Sequence, residues 1–264
     1  MLEQIRHSLR GKLIRVVEDA FGPRYEASLN HAVDRVVSAI QEAEHRSRRD
    51  LEVAADKEAV ASSARFALEQ MPTAPVFHHP QATLEHALEL APGSGLALEF
   101  GVHTGQTLEI ISKAREGQLV FGFDSFLGLP QDWRTHFPEG TFHLDSIPEV
   151  PGARLVAGWF EETLPRFLAE HDEPVDFVHV DSDLYSSART VLEHVGPRLY
   201  PGSVLVFDEY FNYPGWQRHE HKAWLEFVAA SGVGFRYEAY TANNEQVVVS
   251  ITDVPGQKPD GSSE

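Results

Sequence analysis

Acidic residues recur at the ends of short apolar runs in this chain, and four of them are placed to act together. The run VDFVHV is followed by Asp181 and Asp183, and the run VLVF by Asp208 and Glu209. If both runs are strands of one open α/β sheet, these acids converge on the crevice outside the strands' carboxyl ends, where ligands of such sheets collect. Converging carboxylates repel one another unless a cation sits among them. Oxygen donors suit a hard ion such as Mg²⁺, and the absence of cysteine disfavours zinc, although His179 or His103 offers a softer ligand. The plainer alternative is that the acids cap the helices that follow, which suits Asp183 ahead of Leu184 and Tyr185. A divalent ion in this crevice would hold an acceptor's oxygens, lower a hydroxyl's pKa and aim the oxyanion.

A second constellation lies upstream. The run LALEF leads into Gly101-Val102-His103-Thr104-Gly105, after which Gln106 to Lys113 can begin a helix. Glycine there lets a ligand lie against the backbone, and a helix start adds oriented N–H groups. The pattern is ExGxxxG rather than GxGxxG, and a strand-to-helix turn calls for glycine even without a ligand. Asp124 ends the next run, LVFGFD, 23 positions after Gly101, where an acid can accept hydrogen bonds from both hydroxyls of a ribose. A dehydrogenase fits that acid as well, and so does a bare surface acid. Against the dehydrogenase stand the missing first glycine and Glu99, which in methyltransferases lies near the aminoacyl end of S-adenosylmethionine.

These groups need a sheet to hold them. From Leu96 the runs LALEF, LVFGFD, ARLVAG, VDFVHVD and SVLVFDE alternate with helical patterns around 105 to 116, 162 to 170 and 185 to 199. That alternation predicts a parallel sheet with helices on both faces. The segment GFRYEAYTANNEQVVVSIT reads as two strands joined at Asn243-Asn244, a hairpin pair. Five parallel-type strands and a hairpin make a doubly wound, mostly parallel, seven-stranded α/β sheet of the class I methyltransferase kind.

Upstream, Leu2, Ile5, Leu9, Leu13, Val16, Val17 and Ala20 keep helical spacing until Gly22-Pro23, which should break the helix. Leu29, Val33, Val36, Val37 and Ile40 form a second stripe, and a third pattern runs from Leu51 to Leu68. Residues 1–75 are thus expected to be a helical region that packs on the catalytic domain, caps its site or forms a dimer interface. Residues 76–252 would be the methyltransferase domain. Residues 253–264, rich in Pro, Gly, Ser and charge, would be a flexible tail.

Composition narrows the partners. The 264 residues carry 22 basic and 40 acidic side chains, a formal charge of -18, which repels nucleic-acid backbones and anionic membrane surfaces. Cysteine is absent, so there is no disulfide and no thiolate nucleophile. No apolar run approaches the roughly 20 residues of a membrane span, and the start MLEQIRHSLRGKLIRVVED is charged throughout. A cytoplasmic protein, bound neither to membranes nor to nucleic acid, is the expectation.

Taken in order, EFGVHTG, GFDSFLGLP, GWFEETLP, HVDSDLY, PRLYPGSVLVFDEY and YPGW resemble the macrocin O-methyltransferase family over roughly residues 95 to 251. Members of that family are Mg²⁺-dependent sugar methylators. The resemblance implies Glu99, Gly101, Thr104, Gly105 and Thr107 around the methionine part of S-adenosylmethionine, Asp124 and Ser125 at its ribose, and Gly158, Trp159 and Phe160 beside its adenine. It implies Asp181, Asp208 and Glu209 as metal ligands and Asp181 as a candidate base. Where family members often show two aspartates, this chain has Asp208-Glu209.

His143, in the Pro- and Gly-flanked loop PEGTFHLDSIPEVPG, is the other candidate base, because a neutral imidazole can take a hydroxyl proton. His219, His221 and Trp216 are candidates for the acceptor pocket. Phe126, Trp133, Phe137, Tyr213 and Trp216 offer faces on which a sugar can stack, or simply pack on one another. The expected activity is O-methylation of a sugar or glycosylated metabolite by a homodimer. The rivals are a catechol-type methyltransferase and a non-catalytic cofactor-binding scaffold working through its N-terminal helices.

Overall fold

The computed structural model describes residues 2–115 and 119–256, and the chain divides into two compact units, residues 1–57 and 58–264. Unit 1 holds helix α1 (Leu2–Arg49) and the first turns of α2 (Leu51–Gln70). Asp50 separates the two helices by capping the second: its Oδ1 accepts the N–H groups of Glu52 at 3.0 Å and Val53 at 3.3 Å, donors otherwise orphaned at a helix start. Gly22-Pro23 does not end α1 as expected. One missing N–H and one glycine are outvoted by the helical turns on either side. Along α1 the side chains of Leu29, Val33, Val36, Val37 and Ile40 are all exposed. Among the described residues no helix is long and apolar enough to cross a membrane.

Unit 2 is built on one sheet. Its strands are β1 (Val76–Phe77), β2 (Leu96–Phe100), β3 (Val120–Asp124), β4 (Arg154–Ala157), β5 (Val175–Val180), β6 (Val204–Phe207), β7 (Gly234–Thr241) and β8 (Val247–Asp253), in spatial order β1-β7-β8-β6-β5-β2-β3-β4. The five expected parallel strands and the hairpin are all present, and a two-residue strand, β1, pairs parallel to β7 and makes the sheet eight-stranded. Two residues carry no periodicity, so nothing in the sequence announces them. Strands β2, β5 and β6 are buried along their whole length, as unbroken apolar runs covered on both faces require. Helices α3 (Pro80–Leu90), α4 (Gln106–Ala114), α5 (Phe160–Glu170), α6 (Tyr185–Val195) and α7 (Glu220–Ser231) complete the unit.

From β2 the chain steps outward through β3 to β4, then returns to the other side of β2 as β5. The gap between the ends of β2 and β5 is therefore the topological switch point, where an open sheet of this kind binds its ligand. The part of α2 that belongs to this unit packs on it through small residues: Ala59, Ser63 and Ala67 are buried. The Ser63 hydroxyl accepts the Asn212 N–H at 2.8 Å, and Phe66 stands edge-on to Trp216 at 5.5 Å. Of the expected tail, residues 257–264 lie outside the described residues.

Candidate active site

A cleft of about 680 Å³ opens at the switch point, a size ordinary for small-molecule sites. Among the residues expected to hold a cofactor, Gly101, Asp124, Ser125, Gly158, Trp159 and Phe160 line it, and so do Asp181, Asp183 and Glu209. Glu99, Thr104, Gly105, Thr107 and Asp208 do not reach its wall. Three cleft residues other than glycine hold left-handed backbone, His103 at φ 45°, Phe142 at φ 71° and Asp183 at φ 61°, and such strain gathers at functional sites.

Gly101 has a physical reason different from the one its motif suggested. At φ +95°, a Cβ there would stand 1.7 Å from the carbonyl oxygen of Asp181. The glycine lets the ends of β2 and β5 come together, and it is the backbone of Asp181 rather than a ligand that fills the space. Gly105, at φ +83°, starts α4 with Val150 Cγ2 2.5 Å from where its Cβ would be. Asp124 fastens this turn to β3: Oδ2 accepts the N–H groups of Val102 at 2.9 Å and His103 at 2.8 Å, and Oδ1 that of Phe126 at 2.7 Å. Three of roughly four lone-pair sites are thus occupied by the loop itself.

Register assembles the acids. Glu99 of β2 lies beside His179 of β5, and side chains two apart on a strand share a face, so Asp181 follows His179 on that face. His179 Nδ1 is 2.8 Å from Glu99 Oε1, and its Nε2 is 3.6 Å from Asp208 Oδ1. Burial opposes a charge on His179, but its bonds to Asp208 and Glu99 outweigh that and hold its pKa well above the usual value. Burial also pushes Asp208 upward, yet the hydrogen bond and charge of His179 leave its carboxyl below the usual range. Burial, reinforced by the charge of Asp208, pushes Asp181 well up. Burial likewise raises Glu209 and Glu220, and it lifts Asp183 to about 7.

Such a set suits a divalent cation. His179, Asp181 and Asp208 present ligand atoms within 4.8 Å of one another. Glu209 stands outside that group, but its buried Oε2 has no hydrogen-bond partner among the described residues. Nδ1 of His179 against Glu99 is the arrangement in which a carboxylate orients an imidazole whose other nitrogen faces a metal. In that geometry Glu99 lies behind the histidine, not against a ligand in the cleft.

The loop between β3 and β4 supplies another part of the wall, and Ser186, Ser187 and Thr190 of α6 also line the cleft. Trp133 and Phe137 line the cleft, whereas Phe126, Tyr213 and Trp216 do not. Arg134, which no sequence motif singles out, also lines it: its guanidinium sits 3.9 Å from the Trp133 ring centre and bonds both carboxylate oxygens of Glu245 at 3.0 Å. Phe142 lines the cleft as well, and His143 beside it faces away, exposed, with Nε2 3.6 Å from Asp145. Neither His219 nor His221 lines the cleft.

His221 is instead a buried neutral histidine. Phe66, Tyr210 and Trp216 surround its ring with centroids at 5.4, 5.0 and 4.7 Å, neither nitrogen has a hydrogen-bond partner among the described residues, and burial pushes its pKa down to about 4. The unfolded chain binds a proton here below about pH 6.5. The folded protein refuses it until about pH 4, so this site's contribution is complete above 6.5 and is lost as pH falls through that window. The loss approaches about 3 kcal/mol at its limit. A His221→Phe variant should show a shallower fall of melting temperature between pH 6.5 and 4 than the unaltered chain, and parallel curves would refute this.

Residues 98–210 match a family model described as a methyltransferase domain. A stretch of 57 residues is 37% identical to the 8-demethyl-8-(2,3-dimethoxy-alpha-L-rhamnosyl)-tetracenomycin-C 4'-O-methyltransferase of Streptomyces olivaceus, covering 22% of this chain and 21% of that protein. A stretch of the same length is 35% identical to the mycinamicin III 3''-O-methyltransferase of Micromonospora griseorubida, again 22% and 21% of the two chains. The chain therefore spans about a fifth of the length of the curated relatives it matches. Among solved structures, the calicheamicin methyltransferase CalS11 superposes with a TM-score of 0.51 at 23% identity, over 64% of this chain and 76% of that one. That likeness shows a shared fold, the doubly wound, mostly parallel α/β sheet described above.

Proposed function

We propose that this chain, whose residues 98–210 match a methyltransferase domain, transfers the methyl group of S-adenosylmethionine to a hydroxyl of a sugar or glycosylated metabolite with the help of Mg²⁺. The observation that carries the reading is the meeting of the glycine turn with two acids, the half-buried Asp181 and the buried Glu209, on the walls of one cleft at the switch point. The curated relatives, both O-methyltransferases by name and one of them named for a rhamnosyl compound, support the acceptor class, as does the macrocin-type order of motifs.

S-adenosylmethionine supplies an electrophilic methyl group, and a divalent cation supplies the charge that lowers the acceptor hydroxyl's pKa. The chain's own residues do the rest. Gly101 lets the turn close against the end of β5, Gly158 lines the cleft, and the open lone pair of Asp124 with Ser125 takes the ribose hydroxyls. Trp159 and Phe160 border the base. Thr104, Gly105 and Thr107 act one layer back by shaping the start of α4, and Thr107 also hydrogen-bonds Glu99. Asp181 and Asp208, backed by Glu99 and His179, hold the cation with Glu209 beside them. Asp181, half-buried on the cleft wall, takes the acceptor's proton; His143, turned to solvent, is the weaker candidate for that step. Trp133 and Phe137 offer the apolar face against which a sugar ring packs.

Calorimetric titration with S-adenosylmethionine, followed by methyl transfer to mixed glycosides and catechols with and without EDTA, tests this. Binding and EDTA-sensitive transfer to glycosides are expected. No cofactor binding sinks the whole reading, full activity in EDTA removes the metal, and transfer only to catechols moves the acceptor. The exposed stripe Leu29, Val33, Val36, Ile40, spaced as a helix-pairing seam, supports a homodimer, and sedimentation of the same sample at the monomer mass would overturn that.

A further inference from the structure

We infer that Glu220 is a positioning residue for the two strand ends that carry Asp181 and Asp208; the inference rests on the reading of the cleft as a cation-assisted methyl-transfer site. Glu220 is fully buried at the first turn of α7. Its Oε1 accepts the N–H of Ser182 at 3.3 Å and its Oε2 the N–H of Glu209 at 3.1 Å. These are the residues that directly follow Asp181 and Asp208.

The ladder explains why those two amides need an outside acceptor. Asp181 N–H donates to Phe100 and Asp208 N–H to Val180, both backbone oxygens, at 2.9 and 2.8 Å, and these are the last rungs between β2, β5 and β6. One residue further on, each strand has left its neighbour and its buried N–H faces no carbonyl. A single carboxylate closes both ends at once. The peptide that joins Asp181 to Ser182 is then fixed on two sides, by Glu220 at its N–H and by the close approach of Gly101 at its carbonyl. The peptide before Glu209 is fixed by Glu220, and the Tyr213 hydroxyl donates to the Glu209 carbonyl at 3.3 Å.

Placing another acid beside Asp181, Asp183, Asp208 and Glu209 adds like charge to a crowded site. A purely structural demand, burial of a helix start, would be met by an apolar side chain. What only a carboxylate gives is two acceptors at a fixed spread, so that the directions of Asp181 and Asp208 are set relative to each other. Ligand geometry in such sites must hold to about half an ångström, and partners one shell behind the ligands typically govern metal affinity by about 10- to 100-fold.

The test uses the full chain and Mn²⁺ as the probe, titrated by electron paramagnetic resonance, beside turnover and thermal melting. Glu220→Gln keeps the shape but turns an NH₂ group toward one of the two donors; Glu220→Asp keeps the charge but is one methylene too short to span both. Mn²⁺ affinity and kcat are expected to fall about 10- to 100-fold in each variant, with KM for S-adenosylmethionine changed less than about threefold. Glu226→Gln, an exposed change on the same helix, serves as the control. A folded Glu220 variant that binds Mn²⁺ and turns over like the unaltered chain overturns the inference and leaves the site reading intact. If the unaltered chain itself binds no Mn²⁺, the cation reading falls and takes the inference with it. If one variant melts below the assay temperature, the other decides the question.

Discussion

Replacing Gly101 by alanine is expected to remove several kcal/mol of stability and S-adenosylmethionine binding with it. Two terms add at this position. The backbone is held at φ +95°, where a side chain costs about 1–3 kcal/mol. The new Cβ would also stand 1.7 Å from the Asp181 carbonyl oxygen, and that oxygen is backbone just beyond the end of central strand β5, which cannot swing aside as a flexible side chain would. Forcing atoms into such a packed place costs about another 1–3 kcal/mol or more, against a total stability of about 5–15 kcal/mol. Relief requires β2 and β5 to part at the cleft, which moves both the turn and Asp181. Gly140 separates the two terms: it sits at φ +81° with nothing within 4 Å of where its Cβ would be, so Gly140→Ala should cost only about 1–2 kcal/mol. Urea unfolding of both variants reads the difference, and equal losses would show that the close approach at Gly101 carries no weight.

That glycine also shows where sequence reasoning reaches and where it stops. The strands were legible because β2, β5 and β6 are unbroken apolar runs, and the acids at their ends were legible because strand ends in open sheets face one crevice. What Gly101 touches was not, since Asp181 is its neighbour only through the pairing of β2 with β5. The same pairing hid the bond between Glu99 and His179, 80 positions apart, and so the placement of Glu99 behind the histidine. Glu220 gave no signal at all: it begins an ordinary helix between two histidines, and its value lies in which two amides it happens to face. Loops were the other blind spot. Phe142 and Arg134 line the cleft while His143 and Trp216 do not, and the direction of a loop side chain is decided by packing that no local pattern records. The apolar spacing around Gly22-Pro23 similarly described the helix α1 well and its length badly.

The sharpest division of labour should appear between Asp181 and Asp208. Both carboxylates lie within ligand distance of His179, but only Asp181 stands on the cleft wall, and only Asp208 is tied to its surroundings, by Gln246 Nε2 at 3.0 Å as well as by His179. Asp181→Asn removes a charge that an acceptor hydroxyl would meet, and with it the proposed proton acceptor; kcat is expected to fall about 10²- to 10⁴-fold. Asp208→Asn leaves the cleft wall intact but frees the Nε2 side of His179, so the main loss should be in cation affinity, about 10- to 100-fold. Raising Mn²⁺ should then restore much of the activity of Asp208→Asn and little of that of Asp181→Asn. The comparison is informative because the two substitutions are chemically identical and a few ångströms apart: a difference in metal rescue can only come from what each oxygen faces. If high Mn²⁺ restores both variants alike, Asp181 is a ligand and not the base, and the proton must leave by another group on the cleft wall, of which Asp183, lifted to about 7 by burial, is the best placed.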